Sequence, residues 1–180
     1  EIENPHCSMC GQTPTKEKTK HYFFKLKNFS TQLSQYLENN QNLQKDVKKY
    51  VQNWIKEGLT DWDITRDISW GIPVPIDSVN DKVFYGWFDN HLAYISSAVK
   101  FLNDSGKDGK KFWNESDIYH FIGKDIVYHH YLFLPAMRLG IDKEFKLPDY
   151  IPTRGHLTLQ SKKISKSRNW FIGLLSLINI

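Results

Sequence analysis

Two short stretches contain residues whose types and spacing suit chemistry. The first is Lys163-Ile164-Ser165-Lys166-Ser167. Two ammonium groups separated by small hydroxyl residues can surround a polyphosphate. Their charge counts most where negative charge builds up during phosphoryl or nucleotidyl transfer. The run lies in residues 151–180, which hold five basic residues (Arg154, Lys162, Lys163, Lys166, Arg168) and no acid. On charge alone, a solvated loop is the plainer reading. The second stretch is Cys7-Ser8-Met9-Cys10-Gly11, two thiols in a glycine-bearing turn. That is half of a zinc knuckle, because structural zinc takes four ligands. His6 and His21 are the other candidate ligands nearby.

These residues must be positioned by elements that the pattern of the chain suggests. Residues 21–26 are short and aromatic and read as a strand. A helix capped by Ser30 or Thr31 runs to about Glu38. A second, from about Leu43 to Glu57, carries an apolar stripe at Leu43, Val47, Val51 and Ile55, and Gly58 ends it as a left-handed cap. Residues 59–80, with Gly71, Pro73 and Pro75, read as an extended linker. A strand over 82–88, a helix over 92–102, a loop around Gly106 and Gly109, a strand over 118–122, a helix over 126–139 and a strand over 151–160 complete the series. The alternation in the back half predicts parallel crossover units in an α/β sheet. In such sheets ligands sit beyond the carboxyl ends of the strands, where Gly123-Lys124-Asp125 and Trp87-Phe88-Asp89 fall.

The whole composition narrows the class. With 40% hydrophobic and 24% charged residues the chain is globular rather than disordered. No run approaches the roughly 20 apolar residues of a membrane span, so no membrane partner is expected. Two cysteines in 180 residues exclude a disulfide-built scaffold. A net charge of +4 permits an anionic partner such as ATP or RNA without requiring one.

Read together, the blocks resemble the second half of the catalytic region of methionyl-tRNA synthetases, which are class I aminoacyl-tRNA synthetases. The lysine run matches the family's Lys-Met-Ser-Lys-Ser signature, with isoleucine for methionine. Further matches are Asp63-Ile-Thr-Arg66-Asp67 with Trp70-Gly-Ile-Pro-Val-Pro75, Val83-Phe-Tyr-Gly-Trp87-Phe-Asp89, Tyr94-Ile-Ser, and Ile118-Tyr-His-Phe-Ile-Gly123-Lys124-Asp125-Ile-Val-Tyr-His-His130 on to Pro135-Ala136. The resemblance implies an α/β fold, the C-terminal half of a Rossmann-like parallel sheet preceded by the end of a connective insertion with a partial zinc knuckle. The expected divisions are 1–80 (insertion), 81–160 (catalytic sheet) and 161–180 (signature loop and the start of the next module).

It also implies roles. Lys166 would stabilise pyrophosphate, Lys163 and Ser165 would assist at the phosphates, and Asp125 beside Gly123 would bind the ATP ribose, since a carboxylate accepts two hydrogen bonds and donates none. Arg66 would stand near the reacting carboxylate and phosphate. Trp87, Tyr94, Ile126 and His130 would surround the methionine side chain, where aromatic walls suit a thioether. Plainer readings stand beside these. Trp87 and Tyr94 can be core aromatics, His129 and His130 packing residues, Asp125 a helix cap, and Arg66 with Asp67 a surface pair worth under about 1 kcal/mol. The substrates implied are ATP with Mg2+, methionine and tRNA(Met), in a cytoplasmic enzyme. The family's His-x-Gly-His motif does not occur in this sequence, so a missing N-terminal half is expected as partner, with Zn2+ at Cys7 and Cys10 only if upstream cysteines join them. The alternative is a catalytically inactive, synthetase-like module that binds RNA or protein. The chain departs from the bacterial pattern at Asn90, His91 and Leu134, and Asn169-Trp170 stand where glycine usually follows the signature. The apolar tail beyond Trp170 has no assigned role.

Overall fold

The computed structural model describes residues 5–7, 10–77, 79–141 and 144–173. Ser8 and Met9 of the cysteine turn, and residues 174–180 of the apolar tail, lie outside them.

The helical half of the fold follows from spacing. Helix α1 (Ser30–Asn39) buries Leu33 and Leu37, one turn apart. Helix α2 (Lys45–Glu57) buries Val51, with Val47 and Ile55 packed alongside and Leu43 buried just before it. Gly58 follows α2 at φ 102° and ψ 120°. It has the positive φ expected of a glycine cap, but not the left-handed helical ψ. Leu33, Leu37 and Val51 join Val127, Tyr131, Leu132, Phe133 and Ala136 in one core. Front and back of the chain are therefore held together by apolar burial, worth about 1.5–3 kcal/mol for each large side chain.

The strands are short. β1 (Phe23–Phe24) pairs antiparallel with β2 (Trp62–Asp63), and β3 (Thr65–Arg66) pairs antiparallel with β4 (Val83–Phe84). The stretch expected as a linker thus supplies two strands. The strand expected over 82–88 stops at Phe84, and α3 (Gly86–Asp89) follows at once. A short 3-10 turn leads into α4 (Ala93–Asp104). Where a loop was expected, α5 (Gly109–Glu115) forms, because the Asp108 carboxylate accepts from the backbone N–H of Lys111 at 2.9 Å, a cap that satisfies an otherwise orphan donor.

Among the described residues, one strand pair carries the parallel order expected of the back half. β5 (Ile122–Gly123) lies parallel to β6 (Thr153–Arg154), extended by a parallel bridge between Tyr119 and Tyr150. The crossover between them is α6 (Leu134–Gly140), preceded by a widened π turn over His129–Phe133. Pro135 explains the widening: it has no N–H for the carbonyl four residues back and its ring crowds that carbonyl. Leu134 N–H instead reaches the His129 carbonyl five residues back. The expected parallel sheet is therefore reduced to this pair within a mixed α/β fold, since β4 pairs with β3 instead. The strand expected over 151–160 is broken into β6 and β7 (Thr158–Leu159), and β7 forms a hairpin with β8 (Lys162–Lys163).

Candidate functional site

The carboxyl end of β5 and the β7–β8 hairpin bring the first set of candidates together. Asp125 sits in a three-residue 3-10 turn whose cap is Gly123, so it is not the helix cap. Its Oδ2 lies 3.0 Å from His156 Nε2 and 3.7 Å from Lys163 Nζ, and Lys163 Nζ lies 3.2 Å from the same ring nitrogen. A carboxylate and a signature lysine, far apart in sequence, thus share one partner.

The rest of the signature is shaped by its backbone. Ser165 and Trp170 exchange backbone hydrogen bonds of 2.8 and 2.9 Å, closing a loop in which Lys166 begins a short 3-10 turn and is exposed. Asn169 closes it at φ 50°. Asparagine tolerates the left-handed region better than most residues, which accounts for its place where glycine is usual. The Trp170 indole N–H donates to the Leu159 carbonyl at 3.1 Å, and Lys162 Nζ lies 5.4 Å over its ring. Trp170 thereby ties the loop to the hairpin.

A second set converges around the π turn. Tyr94 Oη lies 3.2 Å from His130 Nε2, and His130 Nδ1 lies 3.0 Å from the carbonyl of Ile126. Trp87 is 42% exposed and Tyr94 45%, whereas His130 is 1% exposed, so the two aromatics are not core residues. A cleft of about 290 Å3 opens beside Tyr94, His120 and His130. Behind it lie further imidazoles. His91 stacks on His129 at 5.4 Å and meets His130 edge-on at 5.1 Å, and His120 meets His130 edge-on at 5.6 Å. Burial, then the neighbouring rings, pushes His91 and His120 down to about 4. Burial likewise lowers His129 and His130. All four are neutral at neutral pH, so the cluster is polar but uncharged. The polar ring of His91, a departure in the sequence, packs against the pocket.

Arg66 is placed elsewhere. Its guanidinium stacks on Tyr85 at 3.7 Å, donates to Asp63 at 3.0 Å, and lines a separate cleft of about 590 Å3 with Trp70 and Asp89. It does not pair with Asp67, which binds Lys82. His120 and His156 were not expected from the sequence. The alternation in Ile118-Tyr119-His120-Phe121-Ile122, with Tyr119 and Phe121 exposed and Ile118 and Ile122 buried, was the available signal for His120. For His156 there was none, because its meeting with Lys163 follows from the hairpin register, in which Lys163 pairs with Thr158, two residues after His156.

In the cysteine-bearing stretch, Gly11 N–H donates to the Cys7 carbonyl at 2.8 Å, with Gly11 at φ 72°. Both cysteines are exposed. His6 Nδ1 lies by Thr13, and His21 is turned toward Thr65, Asp63 and Asp67. Among the described residues no group of three or more His, Cys, Asp or Glu side chains is placed to hold a metal ion. Two thiols do not satisfy zinc, so the residues present do not fit a complete site. Also among the described residues, no helix is long and apolar enough to cross a membrane.

Comparison with known proteins gives a consistent picture. The family model described as tRNA synthetases class I (M) matches residues 1–180. The methionine–tRNA ligase of Methanopyrus kandleri is 45% identical over 174 residues, which is 96% of this chain and 26% of that protein. The methionine–tRNA ligase of Methanobrevibacter smithii is 44% identical over 181 residues, 99% of this chain and 27% of that protein. Among solved structures, Mycobacterium tuberculosis methionyl-tRNA synthetase bound by methionyl-adenylate is similar with a TM-score of 0.75 and 25% identity, over 97% of this chain and 33% of that one. The chain spans about a quarter of the length of the curated relatives it matches.

Proposed function

We propose, from the premise that this chain belongs to the class I methionyl-tRNA synthetase family, that it supplies the second half of the catalytic region of a methionine–tRNA ligase. The longer polypeptide would activate methionine with ATP and pass it to tRNA(Met). The observation that carries this reading is the meeting of Asp125 and Lys163 beyond the end of β5. A nucleotide needs an acceptor for its ribose hydroxyls and cations for its phosphates within one short span, and these two side chains offer both.

In this reading a methionine carboxylate oxygen attacks the α-phosphorus of ATP. The bond to the bridging oxygen breaks, pyrophosphate leaves, and methionyl-adenylate forms. The tRNA 3′ hydroxyl then attacks the adenylate carbonyl and AMP leaves. Orientation and charge stabilisation supply most of the acceleration. Lys166 takes the charge growing on pyrophosphate. Lys163 and Ser165 hold the phosphates, with Mg2+ arriving as part of the nucleotide substrate. Asp125 accepts from the ribose, and Gly123 leaves the approach open, since a Cβ there would meet no atom within 4 Å. Arg66, its fork held by Asp63 and Tyr85, would serve the reacting carboxylate from the cleft it lines with Trp70 and Asp89.

Trp87, Tyr94, Ile126 and His130 receive the methionine side chain. The uncharged imidazoles behind them suit a thioether, which has no charge to pair and makes favourable contacts with aromatic rings. Residues 1–80 would be the end of the connective insertion, 81–160 part of the catalytic sheet, and 161–180 the signature loop and the start of the next module. Cys7 and Cys10 would bind zinc only with two further ligands from outside this sequence. The partner is the half of the enzyme that carries the His-x-Gly-His motif, and we assign the reaction to the cytoplasm.

The test is Lys166→Ala in the full-length enzyme, followed by ATP–pyrophosphate exchange. The turnover is expected to fall about 100-fold, the scale of losing one preorganised group at a developing charge. Unchanged adenylate formation would overturn the role given to the loop. The 180-residue chain by itself is expected to form no adenylate, and robust exchange by it would count against the division of labour proposed.

A further inference from the structure

The chemistry of His156 is constrained by its two charged neighbours. Its Nε2 lies 3.0 Å from Asp125 Oδ2 and 3.2 Å from Lys163 Nζ. The β7–β8 register creates this meeting. Thr158 pairs with Lys163, and the ladder continues through the Ile164 N–H to the Leu157 carbonyl at 3.3 Å. Side chains alternate along an extended strand, so His156 and Thr158 share a face, and Lys163 shares it as the cross-strand partner of Thr158.

A ring nitrogen carries a proton or a lone pair, never both. The Asp125 carboxylate accepts only, and the Lys163 ammonium donates only. Nε2 can therefore satisfy one of its two neighbours at a time. With the proton on Nε2, the ring donates to Asp125, and Lys163 keeps only its longer approach to that carboxylate at 3.7 Å. With Nε2 bare, the ring accepts from Lys163 and Asp125 loses a donor.

We infer that His156 is a positioning residue that couples occupation of Asp125 by a nucleotide ribose to the anchoring of Lys163; this rests on the nucleotide reading of both residues given above. Ribose hydroxyls donate to Asp125 and replace the contact that His156 withdraws. The ring then shifts its proton to Nδ1 and accepts from Lys163, which fixes the first signature lysine beside the bound nucleotide. Each event makes the other more favourable, as linkage between two sites requires.

Asp125 comes from the turn after β5 and Lys163 from β8. Arg154 on β6 donates to the Thr153 carbonyl, and Lys162 on β8 lies over Trp170. His156 is 25% exposed and Asp125 59%, open enough for a ligand to displace one from the other.

The experiment measures the ATP KM and kcat of the full-length enzyme. Wild type, His156→Phe, His156→Gln, Lys163→Ala, the double variant His156→Phe with Lys163→Ala, and Asp125→Asn are compared. Lys163→Ala is expected to raise the ATP KM about fivefold more in the wild-type background than in His156→Phe, with kcat changing alike in both. His156→Gln carries its acceptor and donor on separate atoms and can serve both partners together. It is expected to keep the wild-type ATP KM, a rescue that ring packing alone would not produce. Equal effects of Lys163→Ala in the two backgrounds, with ATP KM still raised by Asp125→Asn, overturn the coupling and leave the nucleotide reading standing. An ATP KM unmoved by Asp125→Asn overturns the nucleotide reading and the coupling with it.

Discussion

The phenol of Tyr94 lies 3.2 Å from Nε2 of His130, and this contact sets the state of both side chains. His130 Nδ1 is 3.0 Å from the Ile126 carbonyl, an acceptor only, so the ring proton sits on Nδ1. Nε2 is then a bare acceptor and the phenol is its donor. Three residues expected at the methionine pocket are thus linked in one chain with a defined tautomer. The π turn created by Pro135 is what aims the ring.

Removing that donor tests the pocket. Tyr94→Phe keeps the aromatic body and leaves Nε2 without its partner, a change worth about 1.4 kcal/mol by the usual scale of such bonds. The methionine KM of the full-length enzyme is expected to rise about tenfold, with the ATP KM unchanged. Steady-state exchange at varied methionine and at varied ATP checks this, and equal effects on both substrates would place Tyr94 outside the pocket.

The histidine cluster makes stability depend on pH. His91 and His120 are held down to about 4 in the folded chain, whereas an unfolded histidine titrates near about 6.5. Between these values the unfolded chain binds more protons, so stability rises with pH. The contribution is fully present above about 6.5 and is lost as the pH falls toward about 4. It amounts to something on the order of 3 kcal/mol for each ring. Urea unfolding at a series of pH values is expected to show this slope, and His91→Leu to flatten it.

The signature hairpin turns through Gln160 and Ser161, at φ 50° and 62°. Two-residue hairpin turns need positive φ at both positions and favour Asn-Gly. Side chains with a Cβ cost about 1–2 kcal/mol each there. The double change Gln160→Asn with Ser161→Gly is expected to slow local opening. Amide exchange of the hairpin, reporting an increase of about 1–2 kcal/mol in protection, measures it.

Gly109 lets α5 approach α4. A Cβ there would stand 2.6 Å from the Val99 carbonyl oxygen and 2.8 Å from its Cα, both backbone atoms that cannot swing away. Gly109→Ala is expected to destabilise the chain by about 2 kcal/mol despite the better helix propensity of alanine. Urea denaturation decides the sign, and a neutral or stabilising change would show that the two helices can shift apart.

Much of this was legible because some residues act through local pattern. The four-residue spacing of Val47, Val51 and Ile55 places α2, and the order of the blocks around Trp87, Asp125 and Lys166 carries the family. Other features were not legible. Strand limits were hidden where pairing is long-range: Val83 and Phe84 meet Arg66 and Thr65, which no window of sequence contains. Helix α5 was hidden because its Asp108 cap sits between glycines. The surroundings of Arg66 were hidden too, since its stacking on Tyr85 and its cleft with Trp70 and Asp89 join segments that local pattern does not relate.

The sequence by itself determined which chemical groups are available and the family to which they belong, since residue type and spacing along the chain are local properties. Only the tertiary structure decided which groups meet. The parallel pairing of β5 with β6 and the β7–β8 register bring Asp125, His156 and Lys163 to one point. The proline-widened turn carries His130 to Tyr94. Hydrogen bonds act over about 3 Å, so these partnerships exist only once burial of the shared core has fixed where each backbone segment lies.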